Sequence, residues 1–423
     1  MKKCYTLVAL SLITLLMMAS CSSESDTPKR RPIPEVAEQS VLFYMTGHSL
    51  QSYFRHTNLP EIRKAIDNDI LYDSRVFVHI QSGGISNETL LLELYYDYTL
   101  KGSNVDTLRR YIDCNTIQSS HIKRVSDDIA QIAPAKRYGL VLGSHGGAWV
   151  PAKYKNLADR EPTDDNQSGG WSTTTQNENF DLLYKSEGAE PTRWFGEYMG
   201  YIAENSVWIE AFESDSIDFD YIIFDACFMS NIESLYEFRN SADYIVGSPC
   251  EIMGRGIPYN IAVPYLFTNQ GKDYDLLGFI NSFVTSYRET TSTRKSGCMS
   301  LTVCSEIDAL SEIVKEVYSR CVGEVDINSL QSYEGLSEPL FVDFEQYMLA
   351  LIEEPELKER FVEQFNKTFP EEYRLRTDFF YSGFNNSYNV IDYYSGVTTS
   401  DGSIRFPTSY KACEWSRYVN PEE

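Results

Sequence analysis

A chain of 423 residues is long enough to bury a sizeable core, as one large domain or two ordinary ones. Hydrophobic residues make up 42% of the chain and charged residues 23%, a balance typical of a soluble globular protein. The formal net charge of -24 argues against a nucleic-acid partner, because a phosphate backbone would be repelled.

The first residues of the chain predict an export signal. A pair of lysines precedes an apolar run from Tyr5 to Ala19, which is too short for a spanning helix of about 20 residues. Small residues stand just before Cys21, and this layout resembles a bacterial lipobox, in which the signal is cut and the cysteine is lipidated. We therefore expect residues 1–20 to be a lipoprotein signal peptide and Cys21 to anchor the protein in a lipid bilayer. The alternative is an ordinary secretory signal with an incidental cysteine.

Residues 21–39 are polar and rich in proline, without an apolar period, which is typical of a flexible tether. The tether would hold a monomeric body away from the membrane, so we expect an exported lipoprotein at the outer membrane or the cell surface. Of the nine cysteines, Cys4 would leave with the signal and Cys21 would carry lipid, so an odd number remains and at least one thiol stays outside any disulfide. No Cys-x-x-Cys pair occurs and the five histidines are scattered, so we predict no metal site.

Patterned segments alternate along the body of the chain. Apolar runs rich in strand-forming residues predict strands at 41–47, 75–81, 89–95, 138–143, 220–226 and 244–248, and helical patterns predict helices at 60–67, 126–133 and 229–238. This order is typical of an α/β fold, with a parallel sheet covered by helices on both faces. We assign residues 40–300 to this domain and residues 301–423, where Tyr-rich stretches occur, to an additional C-terminal portion packed on it.

Two of the predicted strands end next to a reactive residue. His145 follows the strand at 138–143, and Cys227 follows the strand at 220–226. Sites form at the carboxyl ends of parallel strands, so the two side chains can meet at one edge of the sheet. An imidazole at that place would take the proton of the thiol and later protonate a leaving amine.

The backbone around these two residues suits the same chemistry. Gly146 has no side chain, so a substrate backbone can approach closely, and its N–H would point at a developing oxyanion. The N–H of Cys227 is the natural second donor, and a helix starting after Cys227 would favour the thiolate. Taken singly these signals are weak, because a lone buried cysteine is more often a small hydrophobic residue.

Longer segments around both residues resemble the clostripain-like family of caspase-like cysteine peptidases. LVLGSHGGAW (140–149) is similar to the family's histidine motif, Asn-His-Gly-Gly-Gly-Trp, and FDACFMSNIESLYEF (224–238) to its nucleophile motif. VLFYMTGHSLQ resembles its first strand, and the resemblance covers most of residues 40–423. Ser144 and Ala148 depart from the histidine motif, but neither carries proton chemistry.

The resemblance implies a caspase-like sheet and a cysteine endopeptidase whose dyad is His145 and Cys227, with Gly146 and Cys227 forming the oxyanion hole. It also implies a role for Asp225, which stands two residues before Cys227 and so starts on the same side of the strand. In this family the acid of the Asp-Ala-Cys motif is associated with a basic pocket, and a buried carboxylate needs a cationic partner. We therefore expect cleavage of protein or peptide substrates after Arg, then after Lys. The alternative is an Asp that only caps the following helix or braces a loop.

The stretch between residues 152 and 196 is polar and unpatterned, and loops of this length are usually functional or mobile. Clostripain-like enzymes often cut themselves between the two catalytic residues, so we expect self-cleavage after one of four basic residues: Lys153, Lys155, Arg160 or Lys185. The acidic part DREPTDD (159–165) invites a calcium site, and a solvated acidic loop is the alternative. The chemistry itself requires no cofactor.

Two other classes of function compete with the peptidase. A non-catalytic surface lipoprotein would use the acidity and the 30 tyrosines to bind a glycan or a protein. A glycoside hydrolase is a further option, but paired carboxylates are uninformative in a chain with 61 acidic residues. A peptide carrying a thiol-reactive group should label Cys227 only if the protein is a peptidase.

Overall fold

The predicted signal and the predicted cleavage sites lie outside the part of the chain that the structure describes. A computed structural model describes residues 29–420, apart from residues 48, 83–87, 113, 151–173, 177–196, 199–200, 213–215, 291–294, 321–322, 324 and 402–405. The residues left out include Cys21, Lys153, Lys155, Arg160, Lys185 and the acidic stretch 159–165.

A nine-stranded sheet runs through the described residues. Its strands are β1 (Ser40–Met45), β2 (Arg75–Gln81), β3 (Thr89–Asp97), β4 (Gly102–Tyr111), β5 (Tyr138–Gly143), β6 (Phe219–Asp225), β7 (Ala242–Gly247), β8 (Cys298–Val303) and β9 (Leu375–Arg376). They lie in the order β9-β8-β7-β6-β5-β1-β2-β3-β4. The five central strands, from β7 to β2 in this order, are parallel to one another, and the strands outside them pair antiparallel. The predicted α/β fold with a mostly parallel sheet is confirmed, as is each of the predicted strands.

The central strands alternate between two hydrophobic cores, one on each face of the sheet. In β1, Leu42 and Tyr44 belong to one core whereas Val41 and Phe43 belong to the other, and all four are buried. A parallel sheet is covered on both faces, which is why its strands are nearly continuous apolar runs rather than alternating polar and apolar ones. Burial of apolar surface at about 25 cal/mol per Å² makes these two cores the main source of stabilisation.

Helices cover both faces of the sheet, as predicted. The first core includes helices Ser119–Ile132, Asn205–Phe212, Ile232–Phe238, Ile307–Arg320, Phe344–Leu351, Pro355–Thr368 and Glu414–Val419. The second core includes helices Leu59–Ile66, Tyr259–Ala262 and Leu276–Glu289. Shorter helical segments are Gln51–Tyr53, Phe54–Asn58, Val263–Leu266, Thr268–Gly271, Cys304–Glu306, Ile327–Ser329, Glu371–Tyr373 and Pro407–Ala412.

Two of the predicted helix starts are wrong. The helix predicted to start at Ser126 runs over Ser119–Ile132, and the Ser126 side chain is buried in its middle. Serine is a capping residue only when its hydroxyl bonds the first turn, and inside a helix it can face the core instead. The helix predicted over 229–238 starts later, at Ile232, because the Asn231 side chain caps it by accepting a hydrogen bond from the Ser234 N–H.

The C-terminal portion contributes strands to the main sheet. β8 pairs antiparallel with β7, so the predicted boundary between residues 300 and 301 falls inside a strand. β9 then extends the sheet beyond β8. The remaining described ladders pair Val342–Asp343 with Thr398–Thr399, Phe379–Ser382 with Ser387–Val390, and Tyr201–Ala203 with both Thr174–Gln176 and Glu197–Tyr198.

The described part of the predicted tether is packed on the sheet. Arg30 and Arg31 form ion pairs with Glu93 at 3.1 Å and Asp69 at 2.9 Å. Glu93 is buried and also pairs with Arg75 at 2.8 Å, so it holds two guanidinium groups. The folded part of the protein therefore begins before residue 40, which was the predicted start of the α/β domain.

Candidate active site

His145 and Cys227 lie at the same edge of the sheet because the strands before them are neighbours. β5 and β6 pair in parallel with Gly143 opposite Asp225, and each reactive residue stands two positions further along its chain segment. Beyond the ladder, the Ser144 N–H still donates to the Asp225 carbonyl at 3.4 Å. The structure thus brings together the two strand ends that the sequence pattern singles out.

Gly146 packs directly against the backbone of Cys227. A Cβ at position 146 would lie 2.1 Å from the Cys227 carbonyl oxygen, 3.0 Å from the Cys227 nitrogen and 3.1 Å from the Ala226 Cβ. Such contacts are far inside van der Waals separation, so any larger residue would push the histidine loop away from Cys227. Glycine is required here by the close approach of the two loops.

The Cys227 sulfur is held by the loop that follows β7. Its side chain is fully buried, and the Ile252 N–H donates to Sγ at 3.2 Å, while the thiol can donate to the Ile252 carbonyl at 3.6 Å. An N–H directed at sulfur favours the thiolate, because it stabilises negative charge. The sequence prediction assigned this effect to a helix directly after Cys227, but that helix starts only at Ile232. The donor that the structure directs at the sulfur is instead the Ile252 N–H.

A strained turn follows Cys227. Phe228 has a φ of 60°, in the left-handed region that bulky residues rarely adopt. The Phe228 N–H donates to the Cys250 carbonyl at 3.2 Å, and its ring packs 5.0 Å from that of Phe341. These contacts hold the turn in place, so the chain bends sharply just after Cys227.

The His145 imidazole is fixed by a residue outside the histidine motif. The side chain is buried, and its Nε2 lies 2.6 Å from the Ser49 Oγ. Ser49 comes shortly after β1, which is the other parallel neighbour of β5. Three adjacent strand ends therefore supply the thiol, the imidazole and the hydroxyl that contacts the imidazole.

Asp225 is fully buried on the same side of β6 as Cys227. Its carboxylate accepts hydrogen bonds from the Ile257 N–H at 3.2 Å and from the Tyr259 hydroxyl at 2.7 Å. Ile257, Tyr259 and Cys227 belong to one core cluster, which agrees with the expected alternation along the strand. The carboxylate braces the loop at 257–259, whereas the cap of the following helix is Asn231.

A buried carboxyl group links the C-terminal portion to the helix behind Cys227. Glu233 accepts hydrogen bonds from the Thr399 hydroxyl at 2.7 Å and from the Ser400 N–H at 3.0 Å. Burial raises the pKa of Glu233 to about 7, although these hydrogen bonds partly oppose the shift. Ser400 in turn accepts a hydrogen bond from the Trp149 indole at 2.8 Å. The C-terminal portion is thereby connected to the histidine loop.

Two histidines away from the site form a buried pair. The Nε2 atoms of His79 and His121 are 3.1 Å apart. Burial lowers the pKa of His79 and lowers that of His121 to about 4, so both rings are neutral at neutral pH.

Within the described ranges, no group of three or more His, Cys, Asp or Glu side chains could hold a metal ion. The six cysteines in those ranges form no disulfide with one another.

Three contributors to this site escaped the sequence reasoning: Ser49, the Ile252 amide and Ser400. Ser49 carried a usable signal, since it follows β1 much as His145 follows β5. A backbone amide has no side-chain signature, so the Ile252 contact could not be foreseen. Ser400 reaches Trp149 across a separation of 251 positions, and only the folded chain shows that contact.

The fold and the site define an α/β protein with a thiol and an imidazole at adjacent strand ends, and known proteins share this fold. The model of the clostripain family matches residues 208–398. A secreted cysteine protease from Bacteroides thetaiotaomicron, "iotapain", is 27% identical, with 91% of this chain and 100% of that chain covered and a TM-score of 0.75. Residues 208–398 thus match the clostripain family, and the similarity in fold to a cysteine protease extends over 91% of the chain.

Two further crystal structures share the fold at lower identity. An inactive zymogen protease from Parabacteroides distasonis is 24% identical, with 92% of this chain and 99% of that chain covered and a TM-score of 0.72. A secreted protease from Bacteroides thetaiotaomicron, in complex with an irreversible peptide inhibitor, is 22% identical, with 90% and 98% covered and a TM-score of 0.68. No curated protein sequence matches the chain.

Among the described residues, no helix combines the length and the apolar character needed to cross a membrane.

Proposed function

We propose that the protein is a cysteine endopeptidase that cleaves proteins or peptides after Arg, then after Lys, through a dyad of Cys227 and His145. One observation carries this proposal: both residues stand just beyond the paired ends of β5 and β6, with Gly146 packed on the Cys227 backbone. Such an arrangement supports a site in which a thiol, an imidazole and two backbone amides act together.

In the proposed reaction the Cys227 thiolate attacks the scissile carbonyl, and the N–H groups of Gly146 and Cys227 receive the oxyanion. The His145 imidazolium then gives its proton to the leaving amine, which leaves an acyl group on sulfur. The neutral imidazole next takes a proton from a water molecule, which attacks the thioester and releases the acid. Expulsion of the Cys227 thiolate beside the newly protonated His145 restores the ion pair.

Asp225 is the proposed determinant of specificity. A buried carboxylate on the same side of β6 as the nucleophile suits a cationic side chain at the substrate residue whose carbonyl is attacked. Arg is the better occupant because its planar guanidinium can pair with a carboxylate through two hydrogen bonds, whereas Lys offers a single ammonium. The net charge of -24 would also attract basic substrates over a longer range.

Active-site labelling tests the proposed activity directly. A short peptide ending in Arg and carrying a thiol-reactive ketone should modify one cysteine, and peptide mapping should locate the label on Cys227. The matched probe ending in Asp should label weakly, and labelling should be equal with and without a calcium chelator, because the chemistry is proposed to need no cofactor. Equal labelling of several cysteines by both probes would instead indicate simple thiol reactivity in a non-catalytic binding protein.

We also propose that Cys21 carries lipid and holds a monomeric enzyme at the outer membrane or the cell surface. The support is the apolar run that ends in small residues before this cysteine. The full-length protein should partition into the detergent phase, and Cys21→Ser should move it to the aqueous phase with unchanged peptidase activity. An intact mass that matches an unmodified mature N-terminus would contradict lipidation.

A further inference from the structure

The hydroxyl group of Ser49 contacts the proposed catalytic base. Its Oγ lies 2.6 Å from the His145 Nε2, at the short end of the range for such hydrogen bonds. Ser49 is half-buried and His145 is buried, so water competes weakly for this contact. Ser49 lies outside the histidine motif and the nucleophile motif, 96 positions before His145.

The fold explains why Ser49 can hold this position. β1 pairs with β5 in parallel, with Met45 opposite Gly143, and the Thr46 N–H donates to the Gly143 carbonyl at 2.9 Å. The turn after β1 is closed by the Leu50 N–H, which donates to the Gly47 carbonyl at 3.2 Å, and Leu50 itself is buried in the core. The segment carrying Ser49 is therefore attached to the same strand end that carries His145.

The contact determines which ring nitrogen can serve the thiol. An imidazole has two nitrogens, and the partner of one of them sets the tautomer and the orientation of the ring. With Nε2 bonded to the Ser49 hydroxyl, the proton exchange with Cys227 falls to Nδ1. When the ring is an imidazolium, Nε2–H donates to Oγ in a charge-assisted hydrogen bond, which stabilises the protonated ring.

We propose that Ser49 is a positioning residue that orients the His145 ring through Nε2 and stabilises its imidazolium form during the reaction. This inference rests on the proposed Cys227–His145 dyad and adds a third member to it. Ser49 acts on the base and touches no substrate. Its loss should therefore change the rate of the chemical steps and the pH at which the ion pair is lost, and leave substrate binding unchanged.

The test compares Ser49→Ala, Ser49→Thr and the control Ser52→Ala, a serine three positions away with an exposed side chain. We expect Ser49→Ala to lower kcat by about 10- to 100-fold, as for the loss of a hydrogen bond to a charged group, with KM almost unchanged. The alkaline limb of its pH–rate profile should move to lower pH by about one unit, because the imidazolium has lost a stabilising partner. Ser49→Thr keeps the hydroxyl and should restore most of the activity, and Ser52→Ala should match the wild type.

Each outcome separates this inference from the dyad itself. Activity lost in Ser49→Ala without a shift of the alkaline limb, and not restored by Ser49→Thr, would show a merely structural role. If Ser49→Ala behaves as the wild type while His145→Ala is inactive, the positioning role is wrong and the dyad stands. If His145→Ala is itself active, the proposed function fails first. Thermal melting of every variant identifies any that is unfolded. If Ser49→Ala is unfolded, the pH–rate profile of Ser49→Thr decides the question.

Discussion

Replacement of either member of the proposed dyad should remove nearly all peptidase activity. In Cys227→Ala no nucleophile remains, and in His145→Ala no group is left to protonate the leaving amine. Both residues act in one step, so the double variant should be little worse than either single variant. We expect kcat/KM to fall by at least about 1,000-fold in each case, as for other catalytic units that lose a member.

Matched controls distinguish lost chemistry from lost folding. Cys114→Ala removes a half-buried thiol elsewhere in the chain, and His56→Ala removes an exposed imidazole. Both controls should keep wild-type activity. Cys227 packs in the core, so Cys227→Ala leaves a small cavity, yet its melting temperature should stay within a few degrees of the wild type. Full activity in Cys227→Ala would rule out the proposed mechanism.

The inactive variant also decides the question of self-cleavage. Cys227 is fully buried, so a substrate can reach the sulfur only after the residues that cover it move. We propose that cleavage after Lys153, Lys155, Arg160 or Lys185 permits this movement. Mass spectrometry of the purified wild type should show two fragments that remain associated, whereas Cys227→Ala should stay intact. Identical fragments from both proteins would mean that another protease makes the cut.

The sheet and the two reactive strand ends were predictable because each depends on local pattern. A parallel strand is buried on both faces, so segments such as YGLVLG at β5 appear as apolar runs in the sequence. A reactive residue directly after such a run lies at the carboxyl edge of the sheet wherever the strand is placed. His145 and Cys227 would lie at the same edge whatever the order of the strands. They lie next to each other only because β5 and β6 pair.

The remaining features depend on contacts between distant segments. The start of the helix Ser119–Ile132 was missed because its first turn is polar, and its N-cap position, Gln118, makes no side-chain cap. The antiparallel edge formed by β3 and β4 follows from pairing, which a strand pattern alone does not reveal. The same holds for Ser49, whose partner is set by how β1 lies beside β5. Long-range pairing of this kind leaves no local signature in the sequence.

Asp225→Asn should remove the proposed preference for basic residues. An Arg side chain bound against a buried carboxylate would lose its charged partner, which costs about 2–5 kcal/mol of transition-state binding, or roughly 30- to several thousand-fold in kcat/KM. A citrulline substrate has nearly the shape of Arg but no charge, so its cleavage should fall much less. The ratio of the two kcat/KM values is therefore the quantity to measure.

The structure supplies the control that this prediction needs, because Asp225 also braces a loop. Its carboxylate accepts hydrogen bonds from the Ile257 N–H and the Tyr259 hydroxyl, so Asp225→Asn would disturb the loop as well as the charge. Tyr259→Phe removes one of these hydrogen bonds, at a cost of about 1 kcal/mol, and leaves the carboxylate charged. A pocket role predicts that Tyr259→Phe keeps the wild-type preference for Arg over citrulline, and that only Asp225→Asn abolishes it. If Asp225→Asn lowers the cleavage of both substrates equally, as loss of a loop brace would, the carboxylate is structural and the basic specificity must be assigned to another residue.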